Sequence, residues 1–235
     1  ANWKMFGDLG TLNTLNKVIT FANKIKKNKF ELIYCPPSTL IYPLAKMLKK
    51  TSIEIGAQNC HESENNGAHT GQLNSMMLKD VGAKYVILGH SENRQFGEND
   101  RLINLKIRSA IKSGLKVIFC IGETLSEKRK KITKKILAQQ ISKGLNKIKN
   151  RKGILIAYEP VWAIGSGLIP EQSELIDTID YIKGKVKGFK VLYGGSVNPK
   201  NINNLKNINS IDGFLIGGAS QVPNNFIDII KKTYN

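Results

Sequence analysis

Short apolar runs rich in β-branched and aromatic residues alternate along this chain with longer segments in which apolar residues recur every three or four positions. The first pattern is that of buried strands and the second that of helices packed on one face. Strands are expected at Ala1–Met5, Glu31–Cys35, Ser52–Ala57, Lys84–Leu88, Lys116–Cys120, Gly153–Tyr158, Lys190–Tyr193 and Gly213–Ile216. Helices are expected at Thr11–Ile25, Thr39–Leu48, Asp100–Ser113, Glu127–Ile148, Glu171–Val186 and Asn224–Tyr234, with Ser38 placed to N-cap the second. Eight strands in 235 residues give about 29 residues per strand-helix unit, the repeat of a (β/α)8 barrel of eight parallel strands surrounded by helices. A doubly wound open sheet would use fewer strands, and no GxGxxG follows the first one. No linker or compositional shift interrupts the alternation, so residues 1–235 are expected to form one α/β barrel domain.

Composition narrows the class. Hydrophobic residues make up 41% of the chain, charged residues 23% and aromatic residues 7%, which excludes a disordered, collagen-like or disulfide-stapled chain. The three cysteines, Cys35, Cys60 and Cys120, cannot all pair and show no CxxC spacing. They point to a reducing compartment and no structural zinc. No apolar run reaches the ~18 residues of a membrane helix and the first residues lack a signal-peptide h-region, so a soluble, cytoplasmic protein is expected.

The charge, +18 from 36 basic and 18 acidic residues, could attract nucleic acid, an acidic surface or anionic substrates. Its densest run is Lys128 to Lys135, interleaved with an apolar stripe of Ile132, Ile136, Leu137, Ile141 and Leu145. That spacing makes the cations the solvated face of an outer helix. No aromatic residues stand among them to stack bases, so nucleic acid or another polyanion is not the expected partner.

The residues that follow the expected strands carry the chemistry, because a parallel barrel gathers its active site at the strand C-termini. These are Asn2 and Lys4, then Gln58-Asn59, Gly89-His90-Ser91-Glu92, Cys120-Ile121-Gly122-Glu123, Glu159-Pro160, Gly194-Gly195-Ser196 and Gly217-Gly218. Ionisable residues and glycines therefore converge on one face. The glycine pairs after the last two strands sit where barrels bind phosphate through backbone N–H groups.

Eight segments in order, ANWKM (from Ala1), GAQN (Gly56), GAHTG (Gly67), ILGHSE (Ile87), CIGET (Cys120), AYEPVWAIGSG (Ala157), LYGGSV (Leu192) and GFLIGGAS (Gly213), resemble the triosephosphate isomerase family over almost the whole chain. The resemblance implies a TIM barrel and an isomerase of glycolysis and gluconeogenesis. Its reaction would interconvert dihydroxyacetone phosphate and D-glyceraldehyde 3-phosphate through an enediolate, with no metal or organic cofactor. Glu159 matches the family's base, and His90 the electrophile that polarises the carbonyl and moves protons between the enediol oxygens. The family's own pattern, an imidazole kept neutral by a helix N-terminus, is carried over with the resemblance. Lys4 and Asn2 match the active-site lysine and its neighbouring asparagine, where a fixed ammonium stabilises phosphate and developing enediolate charge. Glu92 either pairs with Lys4 or serves as a carboxylate at a helix N-terminus.

Gly165, Ser196, Gly217 and Gly218 match the phosphate donors, and Ile164 and Leu215 the apolar residues that close over the base. The stretch Val161 to Gly167 matches the mobile lid, which excludes water from a reactive enediolate. Cys120 reads as buried packing.

Residues 65–71 resemble a loop that enters the neighbouring subunit, bringing Thr70 near the partner's Asn2 and Glu92 and implying a homodimer. The chain departs from the family pattern at Gln72 and Asn93, where an acid and an arginine usually pair across that interface. It also carries Ser166 for the lid's threonine, a second hinge of Leu168-Ile169-Pro170, and Ala1 in place of glycine in a first strand expected to be short. Two other readings remain. One is a glycosidase using Glu92 and Glu159, although the phosphate-type turns and only two tryptophans disfavour a sugar site. The other is a cationic binding scaffold, against which stands the joint presence of Lys4, His90 and Glu159.

Overall fold

A computed structural model describes residues 1–25 and 30–234. Seven strands, β1 (Leu32–Tyr34), β2 (Ile53–Ala57), β3 (Tyr85–Leu88), β4 (Lys116–Ile121), β5 (Ile154–Tyr158), β6 (Val191–Tyr193) and β7 (Gly213–Phe214), pair in sequence order, all parallel. The ring closes through the first residues. Asn2 N donates to Ile216 O at 2.8 Å on one side, while Trp3 N donates to Cys35 O at 3.0 Å and Cys35 N to Ala1 O at 2.8 Å on the other. This eighth stave forms only an isolated bridge, Asn2 to Cys35, in place of the expected strand Ala1–Met5. Its physical limit is Lys4, whose φ of 54° turns the chain out of the extended region that a strand requires.

Side-chain alternation divides the sheet into two cores. Tyr85 and Ile87 of β3, Ile118 and Cys120 of β4, and Ala157 of β5 join Cys35 and Leu215 inside the ring. The alternate residues Val86, Leu88, Val117, Phe119, Ile121 and Ile156 pack outward against the helices. Burial on both faces explains why these strands read as continuous apolar runs. The helices around them are α1 (Asn16–Lys24), α2 (Ser38–Leu48), α3 (Ser75–Asp80), α4 (Ser91–Gln95), α5 (Asp100–Lys112), α6 (Leu125–Arg129), α7 (Thr133–Gly144), α8 (Gln172–Lys185), α9 (Ile202–Lys206) and α10 (Pro223–Tyr234).

Three helix expectations need correction. The segment expected at Thr11–Ile25 opens with a 3-10 turn over Gly10–Leu15 before α1 begins. Ser38 is the first residue of α2 and not its N-cap; Pro37 stands in the cap position and no side chain caps that end. The expected helix Glu127–Ile148 is two helices, because Lys131 takes a φ of 57° between α6 and α7. Thr124 and Glu127 form a reciprocal capping box that starts α6. Of the expected stripe, Leu137, Ile141 and Leu145 are buried and Ile132 and Ile136 half-buried, all of them past the break. The cations face outward, and Lys128 and Lys134 reach Glu174 and Asp177, each at 2.7 Å.

Gly144 ends α7 directly against β4. A Cβ there would lie 2.3 Å from Phe119 Cζ, and that ring is fully buried and cannot swing away. Gly144→Ala is expected to cost about 1–3 kcal/mol, measured as a lower urea midpoint at unchanged slope.

Candidate active site

The C-terminal end of the barrel holds a cavity of about 280 Å3. Its wall includes Asn2, Lys4, His90, Glu159, Ile164, Gly165, Ser196, Leu215, Gly217 and Gly218, so ten of the residues singled out in the sequence meet at one place. Glu92 touches this group through Lys4, whereas Thr70 lies exposed on the loop at residues 65–71 and is not in the cavity wall. A second cavity, of about 240 Å3, lies at the opposite end of the ring near Phe30, Phe214 and Ile229. The strand C-termini face away from it.

Glu159 follows β5 and is 3% exposed. Its backbone N donates to Ile121 O at 2.8 Å, which ties it to the end of β4. Two glycines give it room. A Cβ on Gly194 would sit 2.7 Å from Glu159 Cγ, and one on Gly122 would sit 1.8 Å from Glu159 O. Burial pushes the Glu159 carboxyl above the usual carboxylate range, and His90, the Cys120 thiol and Lys4 partly offset this. Its Oε2 is buried with no hydrogen-bond partner among the described residues. A desolvated carboxylate with one unengaged oxygen is a stronger base than one in water.

His90 is the N-cap of α4. Its Nδ1 accepts a hydrogen bond from Glu92 N at 3.2 Å, which requires a lone pair on Nδ1 and places the proton of the neutral ring on Nε2. That Nε2 stands 3.3 Å from Glu159 Oε1. The imidazole thus lies between two carboxylates, since Glu92 Oε2 is 3.5 Å from Nδ1. Glu92 and Glu159 therefore do not face each other across an open cleft, as a glycosidase pair would.

Lys4 combines a positive φ with two anchors. Its N donates to Asn2 Oδ1 at 3.0 Å and its Nζ to Glu92 Oε1 at 2.7 Å. Both alternatives for Glu92 hold: it pairs with Lys4 and occupies the first turn of α4. Opposite the ammonium, Gly217 leads into a 3-10 turn over Gly218–Gln221, whose opening N–H groups lack intrahelical partners. A Cβ on Gly217 would stand 3.5 Å from Lys4 Cε, which shows how directly the lysine stem lies over this glycine.

The segment matching a lid crosses the mouth. Gly165 and Gly167 have φ values of 68° and 77°, which suit glycine. Ser196 Oγ donates to Ala163 O at 2.7 Å and accepts from Gly167 N at 3.1 Å, joining this segment to the loop after β6. Ser166 keeps a hydroxyl's work, donating to Trp162 O at 3.1 Å and accepting from Leu168 N at 3.2 Å.

Two participants were not legible as such. Glu123 is buried, its carboxyl pushed up by burial, and it accepts from Trp162 Nε1 at 2.8 Å and Tyr158 OH at 3.1 Å. It thereby anchors Trp162, near the start of the segment matching a lid. Its place at a strand end was visible, but its partners were not. Cys120 is indeed buried packing, and its thiol, beside Glu159, helps draw that carboxyl down.

The family model for triosephosphate isomerase matches residues 1–233. A triosephosphate isomerase of Thermodesulfovibrio yellowstonii is 42% identical over 98% of this chain and 97% of its own length. One from Dictyoglomus thermophilum is 40% identical over the same shares. In three dimensions, the crystal structure of triosephosphate isomerase from Bartonella henselae superposes with a TM-score of 0.90 at 32% identity, covering 100% of this chain and 97% of that one.

Proposed function

The chain belongs to the triosephosphate isomerase family and interconverts dihydroxyacetone phosphate and D-glyceraldehyde 3-phosphate, and on that premise we propose that Glu159, His90 and Lys4 carry the reaction. The observation that supports the assignment most is the 3.3 Å approach of His90 Nε2 to Glu159 Oε1 inside a cavity walled by an ammonium and glycine N–H groups. Glu159 removes a proton from the carbon next to the carbonyl. The released electron pair forms the carbon–carbon double bond and drives charge onto the carbonyl oxygen. The Nε2–H of His90 polarises that oxygen and passes protons between the two enediol oxygens, and Glu159 then returns its proton to the neighbouring carbon.

Lys4 and the N–H groups of Gly165, Gly217 and Gly218, with Ser196, hold the phosphate, and Asn2 fixes the lysine's backbone turn. Ile164 and Leu215 cover the base, keeping water away from an enediolate that would otherwise lose phosphate. Lys4→Met tests the phosphate role. It is expected to raise KM and weaken competitive inhibition by inorganic phosphate at least about tenfold, in protein whose circular dichroism is unchanged. Unaltered phosphate inhibition would overturn that role.

We read residues 1–235 as one domain and the active form as a cytoplasmic homodimer. Met5 and Phe96 are 93% and 90% exposed, and Phe6, Leu73, Met76 and Met77 are also exposed around the site and the loop carrying Thr70. Such a surface favours burial against a second copy. Gln72 and Asn93 remove a charge pair from that contact without stranding a lone charge. With +18 on each subunit, the association is expected to be weak at low salt. The cationic surface raises encounter rates with a dianionic substrate. Among the described residues no helix is long and apolar enough to cross a membrane, and the three cysteines are free and buried.

A further inference from the structure

We infer that Arg94 is a positioning residue that sets the spacing between the imidazole of His90 and the carboxylate of Glu159; the inference rests on the roles proposed above for those two side chains. Arg94 lies in α4, one turn past His90, and only 18% of its side chain is exposed. Its guanidinium spreads three bonds over three elements. Nε donates to Gly89 O at 2.8 Å, Nη2 to Cys120 O at 3.2 Å, and Nη1 to Asp100 Oδ1 at 2.7 Å.

Each acceptor leads directly to the site. Gly89 immediately precedes His90 and holds a φ of 74°. Cys120 stands next to Ile121, whose carbonyl accepts from Glu159 N at 2.8 Å. Asp100 opens α5, which packs behind β3 and β4. The last register pair of β3 and β4 is Leu88 with Phe119, so their ladder ends just before His90 departs from β3, while Glu159 leaves from the end of β5 and is tied to β4 through Ile121 O. From that point the fork of Arg94 holds the two strand ends together. The local backbone is shaped to receive it, since a Cβ on Gly89 would meet both Cys120 O at 3.0 Å and Arg94 Nη2 at 3.1 Å.

A guanidinium is planar and offers five N–H donors in a fixed fork, whereas an ammonium is a point charge that cannot span three acceptors in one plane. Arg94→Lys therefore keeps the charge and loses the geometry. A displacement of about 1 Å between base and electrophile costs on the order of 10²-fold in rate. The glycine and serine phosphate donors lie on other elements, after β5, β6 and β7; Lys4, on the first stave, meets α4 at Glu92, which makes no bond to the guanidinium.

The test compares kcat and KM of the parent, Arg94→Lys, Arg94→Ala with and without millimolar guanidinium, His90→Gln, and the double variant R94K/H90Q, with urea midpoints recorded for each. The expected result is a fall of about 10²-fold in kcat for Arg94→Lys with KM within about twofold. Guanidinium should restore part of the Arg94→Ala loss, and Arg94→Lys should cost little more once His90 is already replaced. If Arg94→Ala does not fold, the Arg94→Lys comparison and its double variant decide alone. A kcat for Arg94→Lys near the parent's, an equal rise in KM, or full additivity with His90→Gln would overturn the inference while leaving the roles of His90 and Glu159 standing. Full turnover by His90→Gln would instead overturn those roles, and the inference with them.

Discussion

Replacing Glu159 with glutamine is expected to lower kcat by about 10³-fold or more while making the protein harder to unfold. The first effect follows from removing the sole carboxylate among the described residues of the cavity wall, the group placed to take a proton from carbon. Glu159→Asp keeps the carboxylate but withdraws it by one methylene from its position against His90 Nε2, and is expected to lose about 10²-fold. The second effect follows from linkage. Burial raises the folded-state pKa of Glu159 above the ordinary carboxylate value of 4.5, so the ionised form is disfavoured by the fold. That cost is present above the folded pKa and is relieved as pH falls through it. Glutamine carries no such cost. The variant's urea midpoint should therefore exceed the parent's at pH 8, and the gap should narrow toward about pH 5. The same raised pKa sets the activity profile: kcat/KM should fall on the acid side at a pH above that of an ordinary carboxylate, because only the ionised base abstracts a proton. A Glu159→Gln variant that turns over normally, or whose stability falls in step with its activity, would refute this role.

His90→Gln is expected to lose about 10²–10³-fold in kcat with a much smaller change in KM. A glutamine amide can donate one N–H toward the substrate oxygen. It cannot accept a proton from one enediol oxygen and give it to the other. The backbone bond from Glu92 to Nδ1 holds the imidazole in the one neutral tautomer that presents Nε2–H to the cavity. Loss of that ring should leave the barrel intact, since His90 is an N-cap of a five-residue helix and not part of either apolar core. An unchanged urea midpoint with collapsed kcat supports the assignment, and an equal loss of stability and turnover contradicts it.

The legible and illegible parts of this molecule differ in physical kind. The strands β2 to β6 stand where apolar runs lie, broken inside a strand only by Glu54 of β2, each within a residue of the expected ends, because a sheet buried on both faces leaves a near-continuous signal. Backbone handedness leaves almost none. Lys4 and Lys131 both take positive φ, and nothing in a lysine announces it. At Lys4 this ends the first strand early, and at Lys131 it splits the expected helix just before its apolar stripe begins at Ile132. The Thr124–Glu127 capping box was a usable sign of a helix start before Glu127.

In the site, residues at strand ends were readable because the barrel delivers every strand end to one face. Contacts made sideways between elements were not. Glu123 gripping Trp162, the Cys120 thiol against Glu159, and Arg94 bridging Gly89 and Cys120 join residues far apart in the chain. Their identities, an acid, a thiol and a guanidinium, are common enough to pass for packing or surface charge.

A coupled assay on D-glyceraldehyde 3-phosphate, run on the parent and on Glu159→Gln across a dilution series, decides whether Glu159 is the base of a triose-phosphate isomerase. The expected result is rapid turnover by the parent, loss of about 10³-fold or more in the variant at every concentration, and a specific activity of the parent that falls on dilution as the homodimer dissociates. Folded parent protein without turnover at any concentration, or parent and variant turning over alike, would contradict that role.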